Sequence, residues 1–419
     1  MDVKVTTLKN GLRVISDPMP GLETAAVGVW VDAGARHETK EENGISHVLE
    51  HMAFKGTARR SALQIAELVE SVGGHLNAYT SRDQTAYFAR ILKDDVPLAV
   101  DILGDILLHS SFDQTEIVRE KEVIVQEIGQ TYDTPDDIIF DHLQEVSYPD
   151  QPIGRSILGT VGKVRGFDRS MIAGYMKNHY LAPKMVLSAS GAVDHDAVVA
   201  LAEKAFDGLA TTGETGMAPA HYTGGEYREE RDLEQVHYAL SVPGVSYSDD
   251  DYYAAQVLSG LLGGGMSSRL FQEIREKRGL CYSVFSFSTS YADTGTFSVY
   301  AGTGEDHIKE LSHMLTDELL RTSEGIELAE VERAKAQLKS SLLMGMESPA
   351  SRSEAHARQM LIYGRVLSTS EISESIDAVT VADTQNLAGK LFFGVTPSIA
   401  TLGPLKNLDS FEQIAAKFS

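Results

Sequence analysis

His47-Val48-Leu49-Glu50-His51 places two imidazoles four residues apart, which on a helix sets them one turn apart on a single face. Such a pair can clamp a divalent metal ion. Glu50 stands three residues after His47 and one before His51, so its carboxylate falls beside any ion the histidines hold and is a candidate general base. Asn43 is the expected cap of this helix and Gly56 its expected stop, with Val48, Leu49 and Met52 as the apolar stripe. The motif then belongs to a packed, rigid element.

Working outward, Val27, Val29 and Val31 alternate with Gly28, Trp30 and Asp32, and 87–92 is a second β-rich run; both read as strands. Helical patterns lie between them. The segment 208–226, poor in large apolar residues and rich in glycine and threonine, reads as a linker between two halves. The halves look alike at a shift of 210 residues, where 83–90 overlies 293–300, each run leading into an amphipathic helix. The expected fold is α+β: two similar domains, each a mainly antiparallel sheet packed with helices. The expected bounds are 1–207 for the metal-binding domain, 208–226 for the linker and 227–419 for the second domain.

A chain of 419 residues, 42% apolar and 23% charged, has enough material for two or three domains with large cores. Met1 to Asn10 show no apolar leader, and no later stretch is long and apolar enough to span a bilayer, so a cytoplasmic, non-membrane protein is expected. Cys281 is alone and can form no internal disulfide. The formal charge of −23 repels phosphate backbones and argues against nucleic acid as a partner; it fits a solvated acidic surface that keeps the chain soluble, and equally one that attracts basic peptides.

A catalytic metal site usually takes three protein ligands, so one is still to be found. The helical pattern 114–128 places Glu120 and Glu127 two turns apart on one face, close to Ile117, Ile124 and Ile128. Carboxylates among apolar neighbours are costly unless a cation meets them, which makes this pair candidates for a ligand and its supporting partner. Spacing alone leaves open two surface carboxylates on a charged helix. Glu116 and Glu122 fit an exposed face better.

Over nearly its whole length the chain resembles the pitrilysin and insulysin family of zinc peptidases, which share the inverted H-x-x-E-H motif. Within the family it is most similar to the mitochondrial processing peptidase β subunits and their single-chain bacterial relatives. The likeness rests on the run from His47 through Thr57, on Leu76-Asn77-Ala78-Tyr79-Thr80, on Arg119 through Glu127, and on Tyr148 through Gly154. It implies Zn2+ as the cofactor, held by His47, His51 and a glutamate 76 residues after the second histidine. Position 127 is that glutamate, and Glu120 would be the carboxylate supporting a ligand. Asn77 and Ala78 match edge-strand residues that hold an extended peptide substrate. Phe271 through Tyr282 resembles the segment whose Arg275 and Tyr282 would reach the scissile carbonyl from the second domain and stabilise its oxyanion.

The implied activity is peptide hydrolysis by metal-activated water with Glu50 as base, on extended or unfolded peptides, presequence-like basic ones among them. Two domains are half of the chamber this family builds, which implies a homodimer, or a heterodimer with a second family member. A non-catalytic assembly subunit and a 2-His-1-carboxylate iron oxygenase are the rival readings. Gly263-Gly264-Gly265 lacks the rest of a phosphate loop and reads as a turn or hinge, and His75 as a polar strand residue.

Overall fold

A computed structural model describes residues 3–213 and 216–419, which divide into two compact units. The first comprises Met1–Gly129, Arg155–Ala218 and Leu343–Ser368. Its sheet has six strands: β1 (Lys4–Thr7), β2 (Arg13–Pro18), β3 (Thr24–Val31), β4 (His75–Thr80), β5 (Thr85–Leu92) and β6 (Met185–Gly191). Their order is β1-β2-β6-β3-β5-β4, antiparallel throughout except where β2 runs parallel to β6. β4 is therefore an edge strand.

The alternation in β3 sorts its residues onto two faces. Val27, Val29 and Val31 enter the main core with α1 (Ile45–Ala53), α2 (Ala62–Glu70), α3 (Val96–Leu108) and the buried side of α4 (Gln114–Tyr132). Trp30 points the other way, into a smaller cluster with Ile15, Ala86 and Val186, closed by Ala357 and Met360 of the helix Pro349–Tyr363. Gly28 makes room for it: a Cβ there would stand 2.6 Å from the Trp30 ring and 2.8 Å from Phe88 Cβ. The same helix is pinned by the buried Asp17 carboxylate, which accepts from His356 Nε2 at 2.9 Å and Arg352 at 3.0 Å.

The second unit comprises Gln130–Gly154, Pro219–Leu342 and Thr369–Ser419. Its strands β7 (Gly225–Glu230), β8 (Val236–Pro243), β9 (Cys281–Ser290), β10 (Gly295–Thr303) and β11 (Ser398–Gly403) lie in the order β7-β11-β8-β10-β9. β7 is parallel to β11, and β9–β10 is the edge hairpin. Apart from β1 this repeats the first sheet: a parallel pair at one end, a hairpin at the other. The faint sequence likeness accordingly sets β5 over β10. The fold is α+β with two similar domains.

The bounds at 207 and 227 differ from these units. α5 (Pro135–Ser147) belongs to the second unit, where Ile139 and Leu143 bury against Ala239, Tyr300, Ala400 and Leu402. The helix Pro349–Tyr363 belongs to the first. Each sheet has a second apolar face to cover, and the covering helix comes from the opposite half of the sequence. The 208–226 segment is also no free tether. Leu209 is buried in the first core, Ala210 accepts the Ala182 amide at 2.8 Å, and Tyr222 donates to Ser241 at 2.9 Å. Glu214 and Thr215 of that segment lie outside the described residues.

Candidate metal centre

α1 carries His47, Glu50 and His51, and its start is unusual. Gly44 precedes it in the left-handed region (φ 99°) and offers no side-chain cap. The expected cap, Asn43, instead turns its amide to Glu38 at 3.2 Å and to the Ser156 carbonyl at 2.9 Å. Glu38 takes over the capping: its two oxygens accept the Gly44 amide at 2.8 Å and the Ser46 amide at 2.9 Å. The Ser46 hydroxyl donates to Tyr175 at 2.9 Å, tying the same turn to a second element. Gly56, at φ 112°, lies just beyond the other end.

Within the first unit α4 brings Glu127 to this helix. Glu127 Oε2 is 3.7 Å from His47 Nε2 and 3.6 Å from His51 Nε2, and the three donor atoms all lie within 4.8 Å of one another. Those separations are long for hydrogen bonds and close to the roughly 3.4 Å between ligands of a tetrahedral zinc with bonds near 2.05 Å. Two imidazole nitrogens and one carboxylate oxygen are also the donor types zinc takes in catalytic sites. Among the described residues this is the one such cluster.

The surrounding charges fit the same set. His51 Nδ1 donates to Glu120 Oε1 at 3.0 Å, which leaves the Nε2 lone pair facing Glu127. The other Glu120 oxygen meets Lys55 Nζ at 2.7 Å. Burial alone would raise the Glu120 carboxyl, but the His51 and Lys55 hydrogen bonds outweigh it and hold it below the usual range. Burial would likewise lower His51, and the carboxylates of Glu120, Glu50 and Glu127 lift it instead. His47 is pushed down to about 3 by burial and by the neighbouring His51, so its imidazole is a neutral donor at physiological pH. Glu50 is raised by burial, against a hydrogen bond from Thr80 to its Oε2 at 2.6 Å.

The remaining residues singled out from the sequence fall in two places. Asn77 and Ala78 lie on the edge strand β4, Asn77 exposed with its Oδ1 accepting the Ala78 amide at 2.9 Å. His75 begins that strand and is exposed. In the second unit the Arg275 guanidinium lies 4.5 Å from the Phe271 ring centroid and 4.7 Å from that of Tyr282, whose side chain is 77% exposed. Gly263 is the last residue of the helix Tyr252–Gly263, and Gly264 and Gly265 form the bend that follows it. Glu38 went unread in the sequence, and Thr80 and Lys55 were quoted there within the family motifs without a role. Lys55 lies just past the end of α1, in the bend that follows Phe54.

Comparison with known proteins agrees with this arrangement. Residues 13–161 match the family described as insulinase (peptidase family M16), and 166–338 match the peptidase M16 inactive domain. A Rickettsia felis protein named as an uncharacterized zinc protease is 41% identical over 401 residues, covering 96% of this chain and 97% of its own. The chain belongs to the M16 insulinase family.

It is a zinc peptidase. The Neurospora crassa mitochondrial-processing peptidase subunit beta is 39% identical over 433 residues, covering 99% of this chain and 91% of its own. A Helicobacter pylori protease of known structure has the same fold, at a TM-score of 0.90 and 23% identity, covering 96% of this chain and 99% of its own. As an M16 member the chain carries its H-x-x-E-H helix in the segment matched to the insulinase description, whereas Arg275 and Tyr282 fall in the segment matched to the inactive domain. Among the described residues no helix is long and apolar enough to cross a membrane.

Proposed function

We propose that this M16 peptidase is a metalloendopeptidase for extended peptides, with His47, His51 and Glu127 as zinc ligands and Glu50 as general base. The observation that carries the reading is the convergence of three donor atoms within 4.8 Å, on two helices that also hold Glu50 and Glu120. Bound zinc supplies a Lewis acid that polarises a carbonyl and makes water a readier nucleophile near neutral pH. Glu50 then takes the proton from the attacking water and returns it to the leaving amine. Glu120 orients His51 by accepting its Nδ1 proton. Arg275 and Tyr282, a cation and a phenol already held against each other, are proposed to stabilise the developing oxyanion.

The edge strand β4 favours an extended substrate, which can add to it as a further strand through Asn77 and Ala78. Beside it, Phe54, Ile65, Ala66, Val69 and Leu76 line a cavity of about 380 Å³, apolar inside and rimmed by Lys55, Glu70 and His75. That cavity suits a bulky apolar substrate side chain. A preference for basic peptides is supported by the charge of −23. The Michaelis constant for an Arg-containing peptide should accordingly rise with salt.

The decisive experiment compares Glu50→Gln with His51→Ala. The first should keep zinc and lose nearly all turnover, the second should lose the metal; a fully active Glu50→Gln enzyme would sink the assignment. A homodimer is the proposed assembly. Because a similar protein is named as a subunit of a processing peptidase, activity only beside a different family member is the second reading. Chelator-sensitive cleavage by the purified chain at twice its mass separates the two.

A further inference from the structure

We propose that Thr80 is the positioning residue of the general base: its hydroxyl fixes one carboxylate oxygen of Glu50 so that the other is presented to the attacking water. The proposal rests on the reading of Glu50 as that base. A glutamate on a helix has three rotatable bonds, and the helix alone leaves the direction of its carboxylate open. What settles it here is the Thr80 Oγ1 hydrogen, donated to Glu50 Oε2 at 2.6 Å, within the range of short charge-assisted bonds to a carboxylate. A hydroxyl has one proton to donate. The Thr80 backbone also acts on this carboxylate, so one residue holds it twice, and with Oε2 engaged by the hydroxyl the role of proton acceptor falls to Oε1.

The platform behind Thr80 is stiff. Thr80 ends β4 directly opposite Thr85, whose own buried hydroxyl donates to the Ala33 carbonyl at 2.9 Å. The four-residue turn between them is closed three times: the Ser81 amide donates to the Gln84 carbonyl at 2.7 Å, the Ser81 hydroxyl to the same carbonyl at 2.8 Å, and the Gln84 amide to the Ser81 hydroxyl at 3.0 Å. The Ser81 carbonyl in turn accepts the Ala35 amide at 3.0 Å. A β-branched side chain on such a turn has few rotamers, so the hydroxyl direction is set by the backbone. The strand that ends in Thr80 also carries Asn77 and Ala78, so one element holds both the proposed peptide edge and the brace on the base.

The test is Thr80→Val, which keeps the shape and removes the hydroxyl, and Thr80→Ser, which keeps the hydroxyl. Zinc content, melting temperature, kcat and KM are measured beside Glu50→Gln. Thr80→Val should lower kcat by roughly ten- to a hundredfold, with KM within about twofold and zinc unchanged, and Thr80→Ser should restore most of the loss. A Thr80→Val enzyme with wild-type kcat, alongside an inactive Glu50→Gln, overturns the role of Thr80 and leaves the base intact. Loss of zinc, or equal losses in both Thr80 variants with a lowered melting temperature, overturns it in favour of a structural role. An active Glu50→Gln enzyme instead overturns the reading beneath it.

Discussion

The Glu38 carboxylate accepts the Gly44 amide at 2.8 Å, six residues along the chain, and so caps the helix of the proposed zinc ligands, which has no cap of its own. Its other oxygen holds the Ser46 amide, the donor immediately before His47. The position of His47, the first of the proposed ligands, is therefore set by an acid buried in the loop before the helix, with only 2% of its surface exposed.

That burial gives Glu38 a signature in the pH dependence of stability. Burial pushes its carboxyl from 4.5 up to about 7, against the donors from Ser46, Gly44 and Asn43. Because the folded value lies above the unfolded one, the folded protein holds this proton more tightly. The associated stability is fully present below about pH 4.5 and is lost as pH rises through about 7. The amount is on the order of 3 kcal/mol at most. Glu38→Gln should flatten the fall in denaturant midpoint between pH 4.5 and 7 relative to wild type. An unchanged slope across that window would count against it.

Glu120 is predicted to act on metal affinity and not on the proton transfer itself. It accepts from His51 at 3.0 Å and is kept ionised by Lys55 at 2.7 Å. Glu120→Gln should weaken zinc binding by roughly ten- to a hundredfold in chelator competition. Lys55→Met should weaken it less, since it removes the support and leaves the hydrogen bond. Equal zinc affinity in Glu120→Gln and wild type would show that His51 needs no such partner.

The legibility of this site follows from the range of the interactions that make it. His47, Glu50 and His51 share one helical turn, so helix periodicity alone groups them. Glu120 and Glu127 also share a face, but nothing local says that this face meets α1; only the 76-residue spacing known from relatives joined them. Glu38 and Thr80 act through side chains that reach a different element, and no period marks such contacts. Asn43 was the natural cap by residue type, yet the left-handed Gly44 turns the chain so that its amide meets Glu38 instead. The strand alternation located β3 and β5, whereas the exchange of covering helices between the two units leaves no trace in composition. Pro135–Ser147 and Pro349–Tyr363 are amphipathic helices, and amphipathicity does not say which sheet is covered.

Arg275 is predicted to affect rate without affecting the metal. Its guanidinium lies over the Phe271 ring at 4.5 Å and over the Tyr282 ring at 4.7 Å, which holds the cation beside the phenol. Arg275→Ala should lower kcat, and Arg275→Lys should fail to restore it, because an ammonium cannot stack flat on an aromatic ring as a guanidinium does. Zinc content should stay at the wild-type value in both. Unaltered kinetics in Arg275→Ala would remove this residue, and with it Tyr282, from the proposed chemistry.

The apolar cavity beside β4 offers a test of substrate choice that leaves every proposed metal and proton-transfer group untouched. Ala66 lies on its wall with its side chain exposed, so enlarging it fills the cavity without disturbing the buried Ile65 and Val69. Ala66→Phe should lower kcat/KM for peptides with a bulky apolar residue at the cleavage site by roughly ten- to two-hundredfold, the worth of one poorly fitting group in an apolar pocket. Peptides with alanine or glycine at that place should be cut as before, since they never enter the space the new ring occupies. The comparison is a ratio within one enzyme, so partial loss of active protein cancels. If both peptide classes fall together, the ring obstructs the cleft generally, and if neither falls, the cavity receives no part of the substrate.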